Sequence, residues 1–197
     1  SVIRTSIGLS PAKRDLGAWT ALKLRPGAKV VFRADSGGGL LRLADGPKKA
    51  GYVAVSTKLG PQTAVGLRAR VNLAEQTLQT VHARSVVSIG SAQGDAIQAG
   101  LFRTGAGPGK LRWAIWHKTA SGARDDLEVS RQRATLRRWH RIELVTRWGR
   151  PGARAVLKVD GTVVAQSAAR DLTTILAQSA TVGLGRAEAS HEIGTML

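Results

Sequence analysis

The chain has 197 residues, 43% of them apolar, with thirty Lys plus Arg against thirteen Asp plus Glu and a formal net charge of +17. That length and apolar content suffice for one full hydrophobic core in a single domain over 1–197. The absence of cysteine excludes disulfides and thiolate metal sites, and no apolar run is long enough to encode a membrane span.

The predicted elements are short extended segments separated by turn residues. In chain order they cover 18–24, 29–34, 40–44, 52–59, 64–71, 85–90, 97–104, 111–118, 127–130, 139–148, 153–159, 162–167 and 181–185. Pro26-Gly27, Gly37 to Gly39, Gly46-Pro47, Gly60-Pro61 and the cluster from Gly105 to Gly109 punctuate them. Many short strands at this spacing predict an all-β sandwich or barrel. The segment 170–178 reads as a short helical turn, and 73–81 fits a helix face or an irregular loop equally.

The clearest stretch runs from Trp139 to Ala165. Ile142 and Leu144 share one side of a strand with His140, while Glu143 and Arg147 take the other, the pattern of a half-buried strand. Asp160-Gly161 stands between two apolar runs, where a type I′ hairpin turn needs positive φ at both central residues.

In the segment 111–118, Trp113, Ile115 and His117 alternate with Arg112, Trp116 and Lys118. With the first set in the core, Trp116 stands between two cations, a grouping that stacks on a sugar ring and pairs with its carboxylate or sulfate. The competing reading packs Trp116 beneath a loop. Trp148, beside Arg147 and Arg150, has the same two readings, and Trp19 and Trp139 read as core.

The pattern Trp-x-x-Ile-x-Leu from Trp139, followed by Ala155-x-Leu-x-Val-Asp-Gly-x-x-Val164, resembles the late strands of laminin G-like domains, within the concanavalin A-like lectin/glucanase class. Leu16 to Thr20, Ala50 to Ala54 and Ala180 to Gly185 agree with secreted bacterial modules of that class. The resemblance implies a two-sheet antiparallel β-sandwich of jelly-roll type. Modules of that class continue after a segment like Ile193 to Leu197 into a further strand, so either the true end is at Leu197 or that strand is missing here or supplied by another chain. The start at Ser1, without Met or an apolar leader, is what a processed or excised protein shows.

Jelly-roll polysaccharide lyases need a cation to neutralise a uronate and a Tyr or His to move protons. Arg141-Ile142-Glu143 and Gln79-Thr80-Val81-His82 loosely match alginate-lyase strands, but in reversed order, with an extra residue between Gln79 and His82, and with Tyr52 the sole tyrosine. The Glu-x-Asp-x-x-Glu motif of glucanases is missing, leaving Asp126 with Glu128 as the one carboxylate pair at the spacing of two that points both into one groove. The resemblance allows a structural calcium, for which Asp35 and Asp125 are the candidates.

Between Arg103 and Lys158 there are fourteen basic and four acidic residues, a field that attracts acidic polysaccharide, nucleic acid or anionic lipid. A compositional reading competes, because twenty-one of the thirty cations are Arg in an Ala- and Gly-rich chain. A nucleic-acid stripe would join Arg131 and Arg133 to Arg137, Arg138 and Arg141, but aromatic content is only 4%. These observations predict a non-catalytic, secreted or cell-surface module whose Arg112, Trp116, Lys118, Arg141 and Arg147 contact an acidic polysaccharide or another polyanion. The alternatives are a lyase acting on acidic polysaccharide and an assembly subunit that binds a protein partner or its own copies.

Overall fold

The computed structural model describes residues 3–5, 20–23, 29–35, 38–44, 53–72, 83–105, 110–184 and 195–196. Most of them are strand, as the alternating pattern predicts. β1 (Ile3–Thr5), β6 (Ala64–Asn72), β11 (Trp139–Arg147), β12 (Ala155–Val159) and β13 (Thr162–Gln166) form a five-stranded sheet in that order. The opposing sheet has seven strands in the order β10 (Arg124–Arg133), β9 (Leu111–Lys118), β8 (Ala96–Arg103), β7 (Ala83–Ser91), β14 (Ala177–Leu184), β5 (Val53–Gln62) and β2 (Thr20–Lys23). β3 (Lys29–Asp35), β4 (Gly38–Ala44) and β15 (Thr195–Met196) make a small third sheet. All recorded pairings are antiparallel except that of β1 with β6.

The two large sheets face each other across one core. Val65, Leu67, Ala69 and Val71 of β6 and Ile142 and Leu144 of β11 meet Val87, Ile89, Ile97, Leu101, Trp113 and Ile115 from the other sheet, all buried. Each large side chain so buried contributes about 1.5–3 kcal/mol relative to an exposed one. Trp113 reaches across the core and meets the His140 ring edge-on, centroids 5.4 Å apart at 78°.

β11 keeps the expected alternation. His140, Ile142, Leu144 and Thr146 are buried, while Arg141 and Arg147 are exposed. The hairpin forms at Asp160-Gly161, with φ of 51° and 87°. Asp160 does more than turn the chain. Its Oδ1 accepts the Arg141 N–H at 2.8 Å, and its Oδ2 lies 2.8 Å from His140 Nδ1. The other ring nitrogen, Nε2, lies 2.9 Å from the Thr135 carbonyl. His140 therefore ties the turn to β11 and to the loop before it.

Gly100 is required by packing. A Cβ there would lie 2.1 Å from the Arg84 carbonyl and 2.8 Å from the Val86 nitrogen, where β7 bulges between Ser85 and Val87. The 170–178 segment is corrected: Arg170 bridges to Ala153, Asp171 caps a turn through Thr173 N at 3.0 Å, and β14 begins at Ala177. Asp171 and Thr173 satisfy the local backbone in a side-chain turn in place of a helical one. The 73–81 segment, Trp19, Tyr52, Gln79 and His82 lie outside the described residues.

Candidate ligand-binding faces

The outer face of the seven-stranded sheet is built by residues that alternate with the core. The registers align Trp116, Gln98, Ser88, Thr181, Ser56 and Thr20 into one row across six strands. Ser88 sits between core residues Val87 and Ile89, and Thr181 between Ala180 and Val182, so both project outward. Thr181 Oγ1 donates to Ser56 Oγ at 3.1 Å, and Ser56 Oγ donates to the Ala180 carbonyl at 3.2 Å. The row thus presents hydroxyl and amide groups on a rigid backbone, the chemistry that recognises sugar hydroxyls.

Trp116 ends this row but offers no stacking surface. It is 2% exposed, packed with Ala83 and Ala114 beneath Phe102 and Val129. Its indole N–H donates to Gln98 Oε1 at 2.9 Å, which fixes Gln98 with its amide NH2 left to donate. The expectation of Trp116 as a contact platform is therefore replaced by a positioning role. Trp148 is likewise fully buried, its N–H donating to Thr146 Oγ1 at 2.8 Å. Arg112 and Lys118 flank the row on β9, both half-buried.

Arg141 and Arg147 lie elsewhere. They stand on the outer face of β11 in the five-stranded sheet, so the five predicted contact residues do not assemble into one site. Arg131 and Arg133 belong to β10 in the seven-stranded sheet, which splits the proposed basic stripe as well. What the sequence reading missed is on the β11 face. Trp139, expected in the core, is 37% exposed, and the Arg70 guanidinium lies over its ring at 5.6 Å. The signal was available, because Trp139 has the same parity along the strand as Glu143 and Arg147.

A third cluster closes one end of the sandwich. His117 Nε2 lies 3.1 Å from Asp95 Oδ1, both side chains largely buried, and Arg170 reaches Asp125 Oδ2 at 3.4 Å. Burial lowers the His117 pKa and the Arg170 charge lowers it further, outweighing the attraction of Asp95. The neutral ring donates from Nε2, and its buried Nδ1 has no hydrogen-bond partner. Asp125, a candidate calcium ligand, is half-exposed and pairs with Arg170, and the side chain of its neighbour Asp126 lies outside the described residues. No group of three or more metal-ligating side chains occurs among the described residues, and the side chain of Asp35, at the end of β3, is outside them.

The architecture is that of the concanavalin A-like, lectin-type sandwich. Among solved structures the chain is similar to the cellulose-induced protein Cip1, with a TM-score of 0.62 and 12% identity over 92% of this chain and 88% of that one. It is similar to a mutant of alginate lyase Aly36B in complex with alginate trisaccharide, at a TM-score of 0.54 and 12% identity over 91% and 96% of the two chains. The potassium-bound carbohydrate recognition domain of Emp46p gives 0.52 and 10% over 96% and 92%. At these identities the likeness is one of fold. No protein-family model and no curated protein matches the chain.

Proposed function

We propose that this chain is a non-catalytic carbohydrate-binding module of a secreted or cell-surface protein, a single laminin G-like sandwich over 1–197 whose ligand is an acidic polysaccharide. The supporting observation is the row of Gln98, Ser88, Thr181 and Ser56 across the seven-stranded sheet, with Arg112 and Lys118 beside it. The similar structures include a carbohydrate recognition domain and a complex with an oligosaccharide, which agrees with a glycan ligand.

Binding isotherms on neutral and acidic oligosaccharides at two salt concentrations test this reading, with absorbance of unsaturated product followed in the same wells. Saturable binding that survives added salt and falls in an Arg112→Ala/Lys118→Ala double variant is expected. Unchanged binding in that variant overturns the placement, and product formation overturns the non-catalytic reading. For a lyase, Arg141 and Glu143 share the outer face of β11, while Gln79, His82 and Tyr52 lie outside the described residues.

A further inference from the structure

Arg70 of β6 and Arg141 of β11 are directly opposite each other in the strand register. Both are exposed on the outer face of the five-stranded sheet, and Trp139 lies one outward position along from Arg141. Like charges facing each other across antiparallel strands destabilise a sheet. One level away the same two strands solve this problem, because Arg68 is answered by Glu143, with Nη2 and Oε2 3.0 Å apart. At the Arg70–Arg141 level no carboxylate answers among the described residues. The nearby Asp160 is committed to the Arg141 main-chain N–H and to His140. Arg147, with no described side-chain partner, and Lys158, beside Glu143, extend the positive face.

We propose that this face, centred on Arg70, Arg141 and Trp139, is a docking surface for an anionic polysaccharide. The surface rests on the glycan-binding reading and deepens it by giving the same class of ligand a second face, on the sheet opposite the hydroxyl row. Two guanidinium groups on adjacent strands, with Cβ atoms about 5 Å apart, converge on one carboxylate or sulfate, which relieves their mutual repulsion. Guanidinium forks suit such planar or trigonal oxyanions. The indole edge and free face of Trp139 then meet the apolar side of the sugar ring. A single-stranded nucleic acid is a poorer match, because it needs successive aromatic platforms. Here Trp139 stands as the one aromatic on this face among the described residues, and Arg70 already covers part of its ring.

The test compares Arg70→Gln/Arg141→Gln with Lys110→Gln/Arg131→Gln, an exposed pair that removes the same charge on the side of the seven-stranded sheet. The probes are a polygalacturonate decamer and an oligothymidylate of equal charge. The first variant should bind the decamer at least about tenfold more weakly, as expected for lost hydrogen bonds to a charged group, and the control should change less than about twofold on the same scale. Without ligand its melting temperature should hold or rise, since the like-charge contact is gone. The decamer should also shield Trp139 from acrylamide quenching. Equal weakening in both variants would reduce the surface to a diffuse field and overturn the proposal, as would tighter binding of oligothymidylate that fails in the first variant. A null result for Arg112→Ala/Lys118→Ala refutes the hydroxyl-row site and leaves this outcome unaffected.

Discussion

Thr146 and Trp148 form a polar contact in a place without water. Both are fully buried; the indole N–H donates to Thr146 Oγ1 at 2.8 Å, and that hydroxyl donates onward to the Val65 carbonyl at 3.3 Å. Thr146→Val keeps the shape of the side chain and removes the hydroxyl. The stranded indole donor costs about 1–3 kcal/mol, and the longer bond to Val65 adds a part of one ordinary hydrogen bond, about 0.5–1.5 kcal/mol. The added methyl returns about 0.8 kcal/mol. The net expectation is a loss of about 2 kcal/mol, or a melting temperature lower by about 4–8 °C for a chain of this size. Trp148→Phe removes the donor, so Thr146→Val should cost about 1 kcal/mol less in that background. Thermal and urea unfolding of the four proteins in the cycle measure both quantities. A Thr146→Val protein as stable as the parent, or strict additivity in the cycle, would refute the account.

Gly100→Ala places a Cβ against backbone that cannot yield, so it should lower the melting temperature more than any outward-facing Gly→Ala change and reduce soluble yield. Because His117 is held neutral, the unfolded chain takes up a proton below the ordinary 6.5 that the folded chain refuses; stability should fall as pH drops through that value, and His117→Gln should flatten the fall in urea titrations. Burial raises the pKa of Asp160, but its hydrogen bonds from Arg141 N–H and His140 outweigh that and lower it below 3.8. Its contribution is present above 3.8 and lost as pH falls further, a second and more acidic step that Asp160→Asn should remove. Gly161→Ala forces a side chain into φ of 87° and should destabilise the hairpin, whereas Gly105→Ala, with only the flexible Lys110 side chain nearby, should be close to neutral in the same assay.

Every strand expected from the sequence coincides with one in the structure, because period-two alternation and Gly or Pro turns are local signals. β1 and β15 were not legible: three residues and two residues carry no period, and only their partners β6 and β4 define them. Alternation also divided β9 and β11 into two faces correctly. It did not say which face another layer covers. On β9 both faces are buried, so Trp116 joins a second small cluster while Trp113 fills the core. The pairing of Arg70 with Arg141 was illegible for a different reason. Strands distant in the chain share no pattern that fixes their register, and that register alone turns two ordinary surface arginines into a facing pair.

Arg112 and Lys118 stand on one sheet and Arg141 and Arg147 on the other, with a core about 10 Å thick between sheet planes. One polymer strand cannot follow both surfaces without turning around the edge of the sandwich. On the proposed reading each molecule is therefore a bivalent particle, able to hold two separate strands on its opposite sides without forming a dimer. Its mode of action in a dense matrix would be cross-linking: gelation and turbidity would set in near equal numbers of molecules and strand segments and disappear when either is in excess.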